Sequence, residues 1–216
     1  MSVAALLDAP EVHDGASFAA RTGASDAQVA DLERLQRLLT DWNGRMNLVS
    51  AGSLGAFWPR HVFDSAQLLP LAPEARTWVD IGAGAGFPGL VLAILLKGAP
   101  GARIHLVESQ AKRCRFLAEA VEALALPAEV HNARAEDLAL EADIVTARAV
   151  APLGRLLSFA RPFFAKGAVG LFFKSEGVEV EIVEARQAWR FTCNITPSAS
   201  DPRGRILKVE GLARAG

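Results

Sequence analysis

Tyrosine is absent from this chain of 216 residues, and no two prolines adjoin. Both absences bear on the choice of reaction below. Cys114 and Cys193 are the two cysteines; they give neither a metal-binding pair nor a disulfide framework, which fits a reducing, cytoplasmic setting. Long apolar runs are missing too: the longest, Phe87 to Leu96, falls short of the roughly 20 residues that span a bilayer, so no membrane association is expected. Met1 to Asp14 lacks a basic stretch followed by an apolar core, so no secretory signal is expected. Charge of either sign is balanced, 23 Lys and Arg against 24 Asp and Glu. The whole-chain field therefore does not draw in nucleic acid, although a basic patch can sit on a neutral molecule. His13, His105 and His131 show no ligand spacing, and no bound metal is expected.

What is present suffices for a full core, with 51% apolar residues. One domain plus an extension is the natural expectation. Residues 1–24 are small and mixed, which predicts a loosely docked start. Ser25 can cap a helix whose apolar positions are Leu32, Leu35, Leu38, Leu39 and Trp42. A second helix is predicted from Pro59 to Leu69, and Pro70 and Pro73 mark a boundary. From Thr77 strands and helices alternate. The predicted strands are Trp78–Ile81, Arg103–Glu108, Ala128–His131, Ala142–Ala147, Ala168–Lys174, Trp189–Ile195 and Arg205–Gly211. The predicted helices are Leu90–Lys97, Gln110–Leu124, Leu153–Phe164 and Glu176–Gln187. The alternation implies an α/β fold with a mostly parallel sheet.

The densest signal is Asp80-Ile-Gly82-Ala-Gly84-Ala-Gly86-Phe87-Pro88-Gly89. It reads as a strand, a tight glycine loop and a helix N-terminus whose unpaired N–H groups face a ligand. Glu108 ends the next strand, where an acid accepts hydrogen bonds from ribose hydroxyls. NAD and S-adenosylmethionine enzymes share that feature. Asp80 separates them, because a carboxylate beside a pyrophosphate is repelled, whereas it suits the amino group and sulfonium of S-adenosylmethionine. The turn from Asn132 to Leu138 follows the third strand, where an acid or backbone N–H can read an adenine edge. Two alternatives stay open on the residues alone: an NAD-dependent oxidoreductase, and a nucleotide-binding assembly factor without activity.

Several segments together carry a more specific likeness. They are Trp42-Asn43, Asn47-Leu-Val-Ser50, Arg60-His61-Val-Phe-Asp64-Ser65, the glycine loop ending Gly86-Phe87-Pro88-Gly89, Glu108-Ser-Gln-Ala-Lys-Arg113, Arg134-Ala135-Glu136-Asp137, Thr146-Ala-Arg148-Ala-Val150 and Phe173-Lys174. The chain resembles the small-subunit ribosomal RNA guanine-N7 methyltransferases, also called glucose-inhibited division protein B, from about Trp42 to Lys174. Val49 stands where relatives often carry threonine. The resemblance implies a class I, Rossmann-like S-adenosylmethionine-dependent methyltransferase with a mostly parallel seven-stranded sheet. An α-helical extension, residues 1–73, would pack on a core of residues 74–216. The expected cofactor residues are Asp80, Gly82, Gly84, Gly86, Phe87, Glu108, Ala135, Glu136 and Arg148. Arg134, Arg148 and Lys174 are expected around the RNA entry, with Arg148 and Lys174 positioning the substrate. The expected partner is small-subunit rRNA in an assembled or partly assembled subunit, and the protein is expected to be a monomer.

The chemistry agrees. Guanine N7 carries an in-plane lone pair and attacks without losing a proton, so alignment alone can contribute about 7–11 kcal/mol. The rival reactions need parts the chain lacks. Cytosine C5 methylation uses a cysteine beside a proline, and neither cysteine has one; adenine amino methylation uses a Pro-Pro-aromatic loop. His61, Asp64 and Ser65 crowd one predicted helix, which does not suit a hydrolytic triad; packing and polar contacts are expected of them. Arg34, Arg37, Arg45 and Arg60, and later Arg203, Arg205 and Lys208, are candidates for phosphate contacts that position without reading bases.

Overall fold

A computed structural model of the chain describes residues 11–216. Its N-terminal part is helical: α1 (Gly15–Thr22), α2 (Asp26–Asn43) and the short α3 (Ala51–Gly55). Reciprocal capping boxes start the first two, Asp14 with Ser17 and Ser25 with Gln28. The expectation of a loosely docked start over residues 1–24 is corrected where the chain is described. Phe18 is wholly buried and Val12 nearly so. A one-sided helix this short shows too few apolar residues to betray itself by periodicity. Residues 1–10 lie outside the described residues. The single helix expected over Pro59–Leu69 is also corrected. Trp58–Phe63 winds as a π-helix, Asp64–Ala66 adds one α turn, and Leu69–Leu71 is a 3-10 turn. Such wide turns recur at functional sites.

The strands are β1 (Thr77–Ile81), β2 (Arg103–Val107), β3 (Ala128–His131), β4 (Ile144–Arg148), β5 (Val169–Ser175), β6 (Trp189–Pro197) and β7 (Gly204–Arg214). They form one sheet in the order β3-β2-β1-β4-β5-β7-β6. The first five run parallel, whereas β7 is antiparallel to β5 and to β6. An all-parallel dinucleotide sheet has no such hairpin closing its edge, so the topology sides with the methyltransferase expectation.

Helices α4 (Gly89–Leu95) and α5 (Ala111–Ala123) cover one face together with the extension. Helices α6 (Leu153–Phe164) and α7 (Val178–Ala185) cover the other. Alternation along the strands feeds both layers: Trp78 and Ile104 join the first core, Val79 and Val145 the second. The extension is clamped to helix C-termini of the core. Gln28 donates to the Leu95 carbonyl at 2.8 Å and Arg34 to the Ala123 carbonyl at 2.7 Å. Lys97 bridges Asp31 and the Leu124 carbonyl. These donors satisfy carbonyls that a helix end leaves unpaired.

Candidate functional site

The parallel strands deliver their C-terminal ends to one edge, where ligands of open α/β sheets bind. After β1 the chain turns through Gly82, Gly84 and Gly86 at φ of 67°, 56° and 86°. Only glycine adopts this region without strain. A Cβ on Gly82 would also lie 2.8 Å from Val150. Gly84 donates its N–H to Glu108 Oε2 at 3.0 Å, and Gln110 donates to Oε1 at 2.8 Å. Glu108 thus braces the glycine loop against the start of α5. Asn132 donates to the carbonyls of Glu108 and Ser109, which ties the loop after β3 to the same place. There Ala135 is buried, and the Glu136 side chain is half-exposed beside Arg134 at 3.7 Å.

Asp80 lies beneath this loop and is 1% exposed. Its Oδ2 accepts the Gly89 N–H at 2.9 Å. Its Oδ1 is buried without a hydrogen-bond partner. Burial pushes the carboxyl up to about 7, with Glu108 adding to the rise and the Gly89 N–H and Arg148 opposing it. Asp80 is therefore not the permanent anion the sequence argument took it to be; near neutral pH it is partly protonated, and a cation or donor at Oδ1 would favour the ionised form. A buried oxygen lacking a donor, beside bare glycine backbone, fits a cationic ligand carrying an amino group. The described residues fit S-adenosylmethionine on that ground.

Arg148, the last residue of β4, is the hub of the site. It donates to the Arg60 carbonyl at 2.6 Å, to Asp64 Oδ2 at 3.2 Å and to His61 Nδ1 at 2.8 Å. Its guanidinium lies 5.3 Å from the Phe87 ring centre. The His61 ring stacks on Phe87, with centroids 4.3 Å apart and planes 12° apart. Because arginine only donates, His61 Nδ1 accepts, so Nε2 carries the proton and donates to Ser53 Oγ at 2.7 Å. Burial first, then the charges of Arg148 and Arg60, push His61 down to about 3. The ring is therefore neutral, with Nδ1 taken up by Arg148. Ser65 donates to the His61 carbonyl, so the polar-contact expectation holds for this trio and the triad arrangement is absent. Asp64 Oδ1 is held by Ser200 at 2.6 Å and Gln67 at 2.9 Å.

On the far side of Arg148 a cavity of about 1220 Å³ opens between the extension, β4, β5 and the β6–β7 loop. Arg60, Arg148, Lys174 and Arg205 line it. The Lys174 side chain is 7% exposed and pairs with Glu181 at 2.6 Å, and Glu181 also accepts the Leu153 N–H. The structure thus gathers two sets: Gly82, Gly84, Gly86, Phe87, Asp80 and Glu108 at the glycine loop, and Arg148 with Lys174 at the cavity. Arg148 joins them. Arg134 lies outside the cavity, beyond β3, and its side chain is mostly exposed. Arg34 turns to the core as a helix clamp. Ser200 and Glu181 were missed as site-builders, while His61 and Asp64, of which packing and polar contacts were expected, hold Arg148. Asp64 and Ser200 are 136 positions apart, and no local pattern links them. His105 and His131, 26 positions apart, meet on adjacent strands with their ring nitrogens 2.9 Å apart.

The family model described as "GidB: rRNA small subunit methyltransferase G" matches residues 28–201. The chain is 59% identical over 210 residues to the ribosomal RNA small subunit methyltransferase G of Caulobacter vibrioides (strain NA1000 / CB15N), covering 97% of each. It is 47% identical over 207 residues to the protein of that name in Parvibaculum lavamentivorans, covering 94% of this chain and 92% of the relative. Among solved structures, an O-methyltransferase from Bacillus cereus in complex with SAH superposes with a TM-score of 0.55 at 17% identity, covering 84% of this chain and 91% of that one. A SAM-dependent methyltransferase from Aquifex aeolicus gives 0.54 at 15% identity, covering 81% and 97%. At such identities the two structures speak for the fold, while the sequence matches speak for kinship: the chain belongs to the rRNA small subunit methyltransferase G family.

Proposed function

We propose that this protein transfers the methyl group of S-adenosylmethionine to N7 of a guanine in small-subunit rRNA, with an assembled or partly assembled subunit as substrate and the protein acting as a monomer. S-adenosylmethionine supplies an electrophilic methyl group on a positively charged sulfur. Asp80 would face its positive charge and Glu108 its ribose hydroxyls. Gly82, Gly84, Gly86 and Phe87 would line it, and Ala135 with Glu136 would border the adenine. Arg148 would donate to guanine O6 or an adjacent phosphate, which leaves N7 open. Lys174 would set the base from the other side.

The observation that carries this reading is that the acids and the imidazole in contact with Arg148 and Lys174 are already engaged. Asp64 and Glu181 are each engaged by a cation and by further donors, and His61 is neutral with both ring nitrogens in use. These three groups can align a nucleophile but are poorly equipped to deprotonate one, and N7 needs no deprotonation. Small subunits from a strain lacking the protein, incubated with it and labelled cofactor, should gain one 7-methylguanosine in their rRNA. Label on any other base or atom, or none, overturns the reading. Naked short RNA should be a poor acceptor.

A further inference from the structure

The outer edge of the sheet holds a side-chain cluster that methyl transfer does not use. His105 on β2 pairs in register with Glu129 on β3, and His131 follows two residues later. Alternation puts all three on one face. Only a 3-10 turn, Ala135–Asp137, lies between β3 and β4, so among the described residues no helix from that connection covers this face at the edge. His105 is buried, and the His131 side chain is 14% exposed. His105 Nδ1 and His131 Nε2 face each other at 2.9 Å. One Glu129 oxygen lies 3.8 Å from His105 and the other 3.9 Å from His131.

The geometry points to a transition-metal site: we propose that His105, His131 and Glu129 bind one divalent ion of the zinc class, with solvent completing the shell. Zinc takes nitrogen and carboxylate oxygen at about 2.0–2.2 Å, which in a tetrahedral site separates neighbouring donors by about 3.3–3.5 Å. The three potential donors already lie within 4.8 Å of one another. To close on an ion the imidazoles must part by about 0.5 Å and the carboxylate approach by about as much. Glu129 can do so, because its side chain is 64% exposed and its stem is flexible. The two imidazoles are held in place by their strands, and imidazole with carboxylate is a donor set that zinc, nickel and copper accept. Bound there, an ion would staple β3 to β2 at the sheet's unpaired edge. It would sit one strand-end away from Glu108, whose N–H bonds the His131 carbonyl at 3.0 Å.

The test uses the full chain without an affinity tag. Titration calorimetry with zinc chloride should give about one ion per chain, and metal should raise the melting temperature. Cobalt in its place should show the absorption of nitrogen and oxygen ligation without a thiolate charge-transfer band. His131→Gln should weaken binding by about tenfold or more, the scale at which metal sites respond to lost support. Glu129→Gln, at an exposed position that leaves the fold intact, should weaken it measurably. Cys193→Ser should leave it unchanged. The proposal is overturned if no stoichiometric binding occurs, if a thiolate band appears, or if both His131→Gln and Glu129→Gln bind as the wild type does.

Discussion

Arg148 makes three directed contacts that only a guanidinium fork can make together. Arg148→Ala should therefore lower methyl transfer by at least about a hundredfold, the scale at which lost alignment is felt, while circular dichroism still reports a folded protein. Arg148→Lys should not restore it, since an ammonium cannot serve three partners in this geometry. Lys174→Ala should lose transfer likewise; full activity in both alanine variants removes these residues from the mechanism. Asp80 supplies a pH signature. Its folded-state value, about 7, lies above that of the unfolded chain, so the folded protein binds the proton more tightly. Stability from this group is complete in acid and is lost as pH rises through 7. Between pH 5 and pH 8 the loss amounts to about 2–3 kcal/mol. Asp80→Asn should remove that slope in urea titrations at the two pH values. His61 acts with the opposite sign. Its folded value is depressed to about 3, so its contribution is present above 6.5 and falls away in acid. It is common to both proteins and cancels in the comparison. If a cation joins Asp80 Oδ1, S-adenosylmethionine binding near pH 7 should release a proton, visible as a buffer-dependent calorimetric enthalpy.

At the scale of elements, the glycine loop leaves no room for side chains. Gly82→Ala should cost about 1–3 kcal/mol from backbone strain alone and more from the approach to Val150, with cofactor binding lost in the same titration. Local chemistry made most elements legible. α6 and β3 begin and end where their apolar patterns do, because each packs on one core without interruption. β7 outruns its pattern: Gly211, at φ 65°, looked like a terminator, yet pairing continues to Arg214 opposite Trp189. Gly177, at φ 93°, delays the start of α7 beyond Glu176. The π-helical winding at Trp58–Phe63 was invisible, since helical periodicity does not announce an inserted residue. α1 was missed because Phe18 is the one large side chain it buries. Phe18→Ala should cost about 3–5 kcal/mol, a loss that chemical denaturation would register and that a loosely docked start would not produce.

Across the whole molecule, the glycine-loop residues were legible because they adjoin in sequence, and Arg148 and Lys174 because each lies at the C-terminal edge of a strand. The partners that aim them were not. His61 reaches Arg148 across 87 positions, and only the folded chain makes them neighbours. The boundary expected near residue 73 is crossed by Gln28, Arg34, Lys97 and Arg148. Thermal unfolding should accordingly show one calorimetric transition, with equal calorimetric and van't Hoff enthalpies; two separated transitions would mean that the extension is an independent unit.

The ion pairs Arg148–Asp64 and Lys174–Glu181 carry a consequence for how a polyanion enters. Neither cation waits unpaired, so an arriving phosphate displaces a resident carboxylate and the encounter is an exchange of anions. Removing the incumbent should then tighten the grip on RNA even where it spoils alignment. Glu181→Gln is the variant in which affinity and turnover are expected to part company.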